Sequence, residues 1–129
     1  MSLSLIEAFG KYGAKPSGRM NVRSAIAADG AVVLNCSSAH FVHPAQGVLR
    51  YEDKLSREAV TPKGVELLGQ HLTLARDAAL PVRMVVASIA NEKSRSRRYH
   101  VRSDLIGKVV KFDGDHFMID FTRGSDPQT

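Results

Sequence analysis

From Gly107 to Thr122 the chain reads Gly-Lys-Val-Val-Lys-Phe-Asp-Gly-Asp-His-Phe-Met-Ile-Asp-Phe-Thr. An Asp-Gly pair between two β-prone runs is a strong hairpin signal and predicts a type I′ turn around Asp113-Gly114. In the second run Phe117, Ile119 and Phe121 alternate with Met118, Asp120 and Thr122. That period of two places one set on a buried face and the other on a polar face. The segment pairs antiparallel, and the rest of the chain must cover its apolar side.

One long helix is available for that. Thr61-Pro62 is a helix start, with threonine as cap and proline in the first turn. Val65, Leu68, Leu72, Ala75 and Ala79 then recur at steps of three and four, while Lys63, Glu66, Gln70, Thr73 and Asp77 point elsewhere. This is an amphipathic helix ending near Ala79, before Pro81. A short first helix spans Ser4 to Tyr12, with Ser4 and Glu7 forming a capping box. Asp29-Gly30 marks a hairpin between strands near Asn21–Ala27 and Ala31–Cys36. Ser37–Gln46 reads as irregular, Gly47–Tyr51 as a short strand, and Glu52–Glu58 as a surface loop. Val82–Ile89 is a buried central strand carrying one oddity, Arg83, and Arg97–Val101 is extended. The chain is therefore expected to be α+β: a curled, mainly antiparallel sheet or small open barrel of about six strands, one main amphipathic helix and a short N-terminal helix.

Length and composition agree with one globular domain over 1–129. Apolar residues make up 43% and charged residues 24%, so a core can form without staples. Met1–Leu3 reads as a cloning remnant and 124–129 as a frayed tail. A single cysteine excludes an internal disulfide and suggests a cytoplasmic setting. No apolar run approaches the roughly 20 residues that span a bilayer, so no membrane partner is expected.

The net charge of +5 is unevenly placed. Lys11–Arg23 holds four bases and no acid, and Lys93–Lys111 holds seven bases and one acid. The remainder is acidic on balance. Two concentrated basic stretches are the footprint of a polyanion partner if the fold joins them. Arg guanidinium groups match phosphate oxygens in pairs, and each neutralised phosphate releases counterions. The sequence thus points to DNA or RNA held by Lys93, Arg95, Arg97, Arg98, Arg102, Lys108 and Lys111, with Arg19 and Arg23 extending the patch. Tyr99 or His100 would stack on a base. The plainer reading is a solvated loop and a charged edge strand that resists aggregation.

Other constellations carry less. Cys36, His40 and His43 are zinc-binding residue types, but their spacing fits no common zinc signature, so no metal and no cofactor are expected. Glu52-Asp53-Lys54 invites a nuclease reading. The three are consecutive, however, so they do not share a strand face, and a solvated salt-bridge cluster is expected instead. Asp113 and Asp115 belong to a turn, and Asp120 lies on a polar strand face. There is no glycine-rich phosphate loop, Gly-x-Ser-x-Gly or His-Glu-x-x-His. The balance leans away from an enzyme. The alternative is a ligand-binding protein or enzyme whose pocket inside the curled sheet is lined by Arg83, Arg50, Tyr51, His40 and His43. In that reading Arg83 pairs with an acid on the main helix or lines the pocket. An edge strand could also support a homodimer. In outline, the curled sheet, central helix and basic hairpin resemble small PUA-like RNA- and modified-DNA-binding modules, a likeness of architecture that implies no particular residue.

Overall fold

The computed structural model describes residues 4–15, 24–37, 40–55, 62–91 and 96–123, with side chains described outside 62–64, 88–91 and 96–98. Among the described residues two helices, α1 (Leu5–Gly10) and α2 (Pro62–Ala78), accompany eight strands. The strands are β1 (Ser24–Ile26), β2 (Val32–Ser37), β3 (Phe41–Ala45), β4 (Val48–Lys54), β5 (Val82–Asn91), β6 (Ser96–Val101), β7 (Leu105–Phe112) and β8 (His116–Arg123). They form one open sheet in the order β1-β2-β5-β7-β8-β4-β3, with β6 also paired to β5. All pairings are antiparallel except β2 with β5, so the sheet is mixed.

Among the described residues the sheet has eight strands, loosely in line with the expected count of about six. One addition is β3, in a stretch that reads as irregular. It shows no apolar alternation, contains Pro44, and is mostly exposed. Those are properties of an edge strand, where a missing N–H costs little. The other difference is β4, which runs on to Lys54 and pairs with His116, so 52–54 is strand and not surface loop.

Each face of the sheet has its own core. The α2 side buries Leu68, Leu72 and Ala75 against Val32, Leu34, Tyr51, Val82, Met84, Phe117, Ile119 and Phe121. Each large apolar side chain fully buried there contributes about 1.5–3 kcal/mol. The opposite face, over β1, β2 and β5, is covered by α1, with Ala8 and Phe9 against Ala25, Val33 and Val85. Ser4 and Glu7 make the expected reciprocal cap of α1. The Thr61 cap of α2 lies outside the described residues.

Two local expectations are corrected. Ala79 is not part of the α2 stripe: it is exposed, with φ 53°, just past the helix end. Leu80 N–H reaches back to the Ala75 carbonyl at 3.0 Å, closing the helix with a left-handed residue. That conformation is costly for a non-glycine residue, so Ala79→Gly is expected to stabilise the fold by about 0.5–1 kcal/mol, read as a higher Tm. The β7–β8 turn is also not type I′. Positive φ occurs at Gly114 (106°) and not at Asp113 or Asp115. Phe112 pairs with Phe117, and Asp113 N–H bonds the His116 carbonyl at 3.2 Å, so the central residues are Gly114 and Asp115. A single positive φ at the first central residue is where a type II′ turn has it, and differs from the two consecutive positive φ values of type I′. Asp113 Oδ1 accepts from the N–H groups of Asp115 (3.0 Å) and His116 (2.8 Å), which moves the turn one residue along. These bonds hold the Asp113 carboxyl below its usual range.

α2 is also tied to the edge strand. Ser24 Oγ, nearly fully buried on β1, lies 2.6 Å from His71 Nδ1. Burial alone pushes the His71 pKa below 6.5. The unfolded chain therefore binds a proton that the folded chain resists, and stability should rise with pH through the interval just below 6.5 and fall on acidification. His71→Gln should flatten that slope in urea titrations run across the interval.

Candidate nucleic-acid interface

The structure places a fork where β5 changes neighbours. Its first residue, Val82, pairs with Gly107 of β7, and from Val85 onward that same edge is taken by β6. The turn joining β6 to β7 sits at the fork and carries Arg102, Ser103 and Asp104, closed by Leu105 N–H on the Arg102 carbonyl at 3.0 Å.

Arg83 explains itself here. Its register partner on β2 is Val33, a residue of the α1-side core, so it faces away from α2 and meets no acid there. Its guanidinium lies 5.0 Å from the centre of the Tyr12 ring and donates to the Ser103 carbonyl at 2.7 Å. Tyr12 Oη donates to the Met84 carbonyl at 2.7 Å and accepts from Arg102 N–H at 3.2 Å. Burial raises the Tyr12 pKa, which keeps the hydroxyl a donor at neutral pH. Arg83 and Tyr12 therefore brace the turn that presents Arg102. The same contact joins Tyr12, the neighbour of Lys11, to Arg102, the residue after β6, so one member of each basic stretch lies at the fork.

Arg102 lines a cleft of about 470 Å³ at this end of the sheet, with His43, Gln46, Gly47, Val48, Leu49, Leu105, Phe121 and Arg123. Three separate pieces build it: the β3–β4 turn, the fork turn and the end of β8. Arg123 is placed opposite Leu105 by strand register. A second hollow of about 460 Å³ shares Val48 and Arg123 with it but opens on the polar face of the sheet, where it includes Lys108, Asp120 and Thr122.

Acids near the cleft are already answered. Asp104 takes Nε and Nη2 of Arg102 at 3.0 and 2.9 Å. Asp120 takes Nε and Nη2 of Arg50 at 2.6 and 3.0 Å. Both carboxyls are held below their usual range, chiefly by these bonds, with Arg123 adding to the effect on Asp104 and Lys108 to that on Asp120. Among the described residues, no ion pair reaches Lys108 or Arg123. Two exposed cations thus have no ion-pair partner among the described residues, and Arg102 is itself half exposed.

The expected site residues distribute unevenly. Arg102 and Lys108 belong to the cleft and the adjoining hollow. Lys111 is exposed but lies next to the hairpin tip, six residues along β7 from Leu105, or about 20 Å. His100 is exposed on β6, whereas Tyr99 is half-buried against the α1-side core, so its ring is partly committed to packing. Arg97 and Arg98 lie on β6 opposite Ile89 and Ser88. Arg19, Arg23, Lys93 and Arg95 lie outside the described residues. Charge counting along the chain passes over Arg123, His43 and Gln46, because each stands outside the basic runs.

The alternative pocket does not assemble as one site. Arg83 is under the fork, Arg50 pairs with Asp120, and only His43 reaches the cleft. Tyr51 is fully buried in the α2-side core, its ring 6.3 Å from that of His40 in an edge-on contact. Cys36 is buried in the same core, apart from the exposed His43. Among the described residues no group of three His, Cys, Asp or Glu side chains is placed to hold a metal ion. The 52–54 cluster is not a solvated salt bridge, since Asp53 is only 1% exposed. Asp53 Oδ2 accepts from Tyr51 Oη at 3.0 Å, and Tyr51 Oη accepts from Ser37 N–H at 3.1 Å. No protein-family model, curated protein or solved structure matches the chain, and the PUA-like outline gains no relative from them.

Proposed function

We propose that this protein binds nucleic acid, with the fork cleft as the centre of its phosphate-contacting surface. One observation carries the reading: Arg102, Arg123 and His43 converge on one cleft from three separate turns and strand ends, and Lys108 stands on the other face of the sheet in a hollow that shares Val48 and Arg123 with the cleft. Nearby carboxylates are occupied by Arg102 and Arg50, so Arg123 and Lys108 can exchange their counterions for phosphate oxygens. His100 and the basic residues of 93–98 extend the surface along β6 in this reading.

Fluorescence anisotropy with labelled DNA and RNA oligonucleotides tests it. Affinity should fall steeply between about 50 and 200 mM salt. Lys108→Ala and Arg123→Ala each remove an exposed cation, so Tm should hold while the log–log salt slope drops by about one per substitution. Asp104→Asn should act in the opposite direction: it releases Arg102 and tightens binding by about threefold, on the scale of an exposed ion pair. Failure of both DNA and RNA to bind at low salt overturns the proposal.

A further inference from the structure

We infer that the fork cleft seats one unstacked nucleotide, so that the preferred ligand is single-stranded or locally opened rather than regular duplex; this rests on the nucleic-acid reading above. The cleft has two chemistries in two places. Its floor is apolar: Leu49 is partly exposed there, and the buried Leu105 and Phe121 stand behind it. Its charged groups, Arg102, Arg123 and His43, belong to a turn, a strand end and an exposed edge strand around that floor. A lone phosphate would use the cations and leave the floor without purpose. A duplex would do the same, because the faces of its bases are stacked inside and only its backbone and base edges meet a surface. A nucleotide uses both: the base covers the floor while its phosphate meets the guanidinium groups.

The size agrees. About 470 Å³ falls within the range of small-ligand sites and accepts a base with its sugar. The exposed Gln46 side chain adds a neutral amide at the lining, offering a donor and an acceptor to a base edge. A base reaches a concave site only after leaving its stack, and that cost is least in a single strand.

The experiment compares a labelled single strand with the duplex of the same sequence on the full chain. The single strand should bind at least about tenfold more tightly, because opening the duplex costs free energy that subtracts from its affinity. Gln46→Trp places a large ring across the cleft from an exposed turn position, where the fold should tolerate it. It should bring single-strand binding down to the duplex value and leave duplex binding unchanged. Lys108→Ala should weaken both ligands alike. Equal binding of single strand and duplex overturns the inference, as does a Gln46→Trp effect that is absent or the same for both ligands. In those cases the nucleic-acid reading stands, whereas absence of binding to either ligand removes both.

Discussion

Gly107→Ala should destabilise this protein by about 1–3 kcal/mol, although alanine is the better residue in most strands. Gly107 lies in β7 directly opposite Phe121 of β8 and Val82 of β5, at the fork of the sheet. An added Cβ would stand 2.6 Å from Cδ1 and Cε1 of Phe121 and 2.9 Å from Cγ2 of Ile119. Both side chains are fully buried, so neither can turn aside into solvent. Interiors are packed close to crystal density, and one surplus methyl forces strain on rings and backbone. For a domain of this size the loss corresponds to a Tm lower by roughly 3–12 °C. Phe121→Leu in the same background should restore part of that loss, a coupling that independent sites would not show. An unchanged or raised Tm for Gly107→Ala would contradict the packing described here.

The second large effect belongs to the far end of the α2-side core. Tyr51→Phe removes the group that accepts from Ser37 N–H and donates to Asp53, and should cost about 1–3 kcal/mol. Asp53→Ala should cost about 3 kcal/mol or more, because a buried carboxylate that accepts from Tyr51 Oη and from Lys54 N–H at 2.8 Å is lost together with its volume. These bonds join β4 to the end of β2 across the core, two strands that are not neighbours in the sheet. A double-mutant cycle measured by urea denaturation should therefore give a double variant less damaged than the sum of the two single ones. Strict additivity would show that the Tyr51–Asp53 bond contributes nothing to stability.

Gly107, Tyr51 and Asp53 are distinct from the cations of the cleft, so stability and binding can be measured on separate variants. Lys108, Arg123 and Gln46 are all exposed, so their variants report on recognition without the losses expected at Gly107 or Tyr51. Arg83 stands between the two groups. It does not line the cleft, yet it braces the turn bearing Arg102 through Tyr12 and Ser103.

Local signals in the sequence were sufficient for much of the architecture. The Ser4–Glu7 cap, the α2 stripe from Val65 to Ala75, the buried run of β5 and the period-two alternation of β8 are each set by neighbours within a few residues. Arg102 and Lys108 stand out for the same reason, as members of one dense basic run, and the structure places them on the cleft and on the hollow. What the tertiary structure alone decided depends on distant partners. β3 exists because β4 offers it an edge, Asp53 is buried because Tyr51 and Ser37 meet it across the core, and Arg83 finds Tyr12 from the far end of the chain. The cleft is of this kind as well: His43, Gln46, Arg102 and Arg123 come from three separate parts of the sequence and meet only because β4 and β7 both pair with β8. Periodicity and charge density report what a residue does with its neighbours, whereas a concave site is made by pairings that close long loops, and no local pattern encodes those.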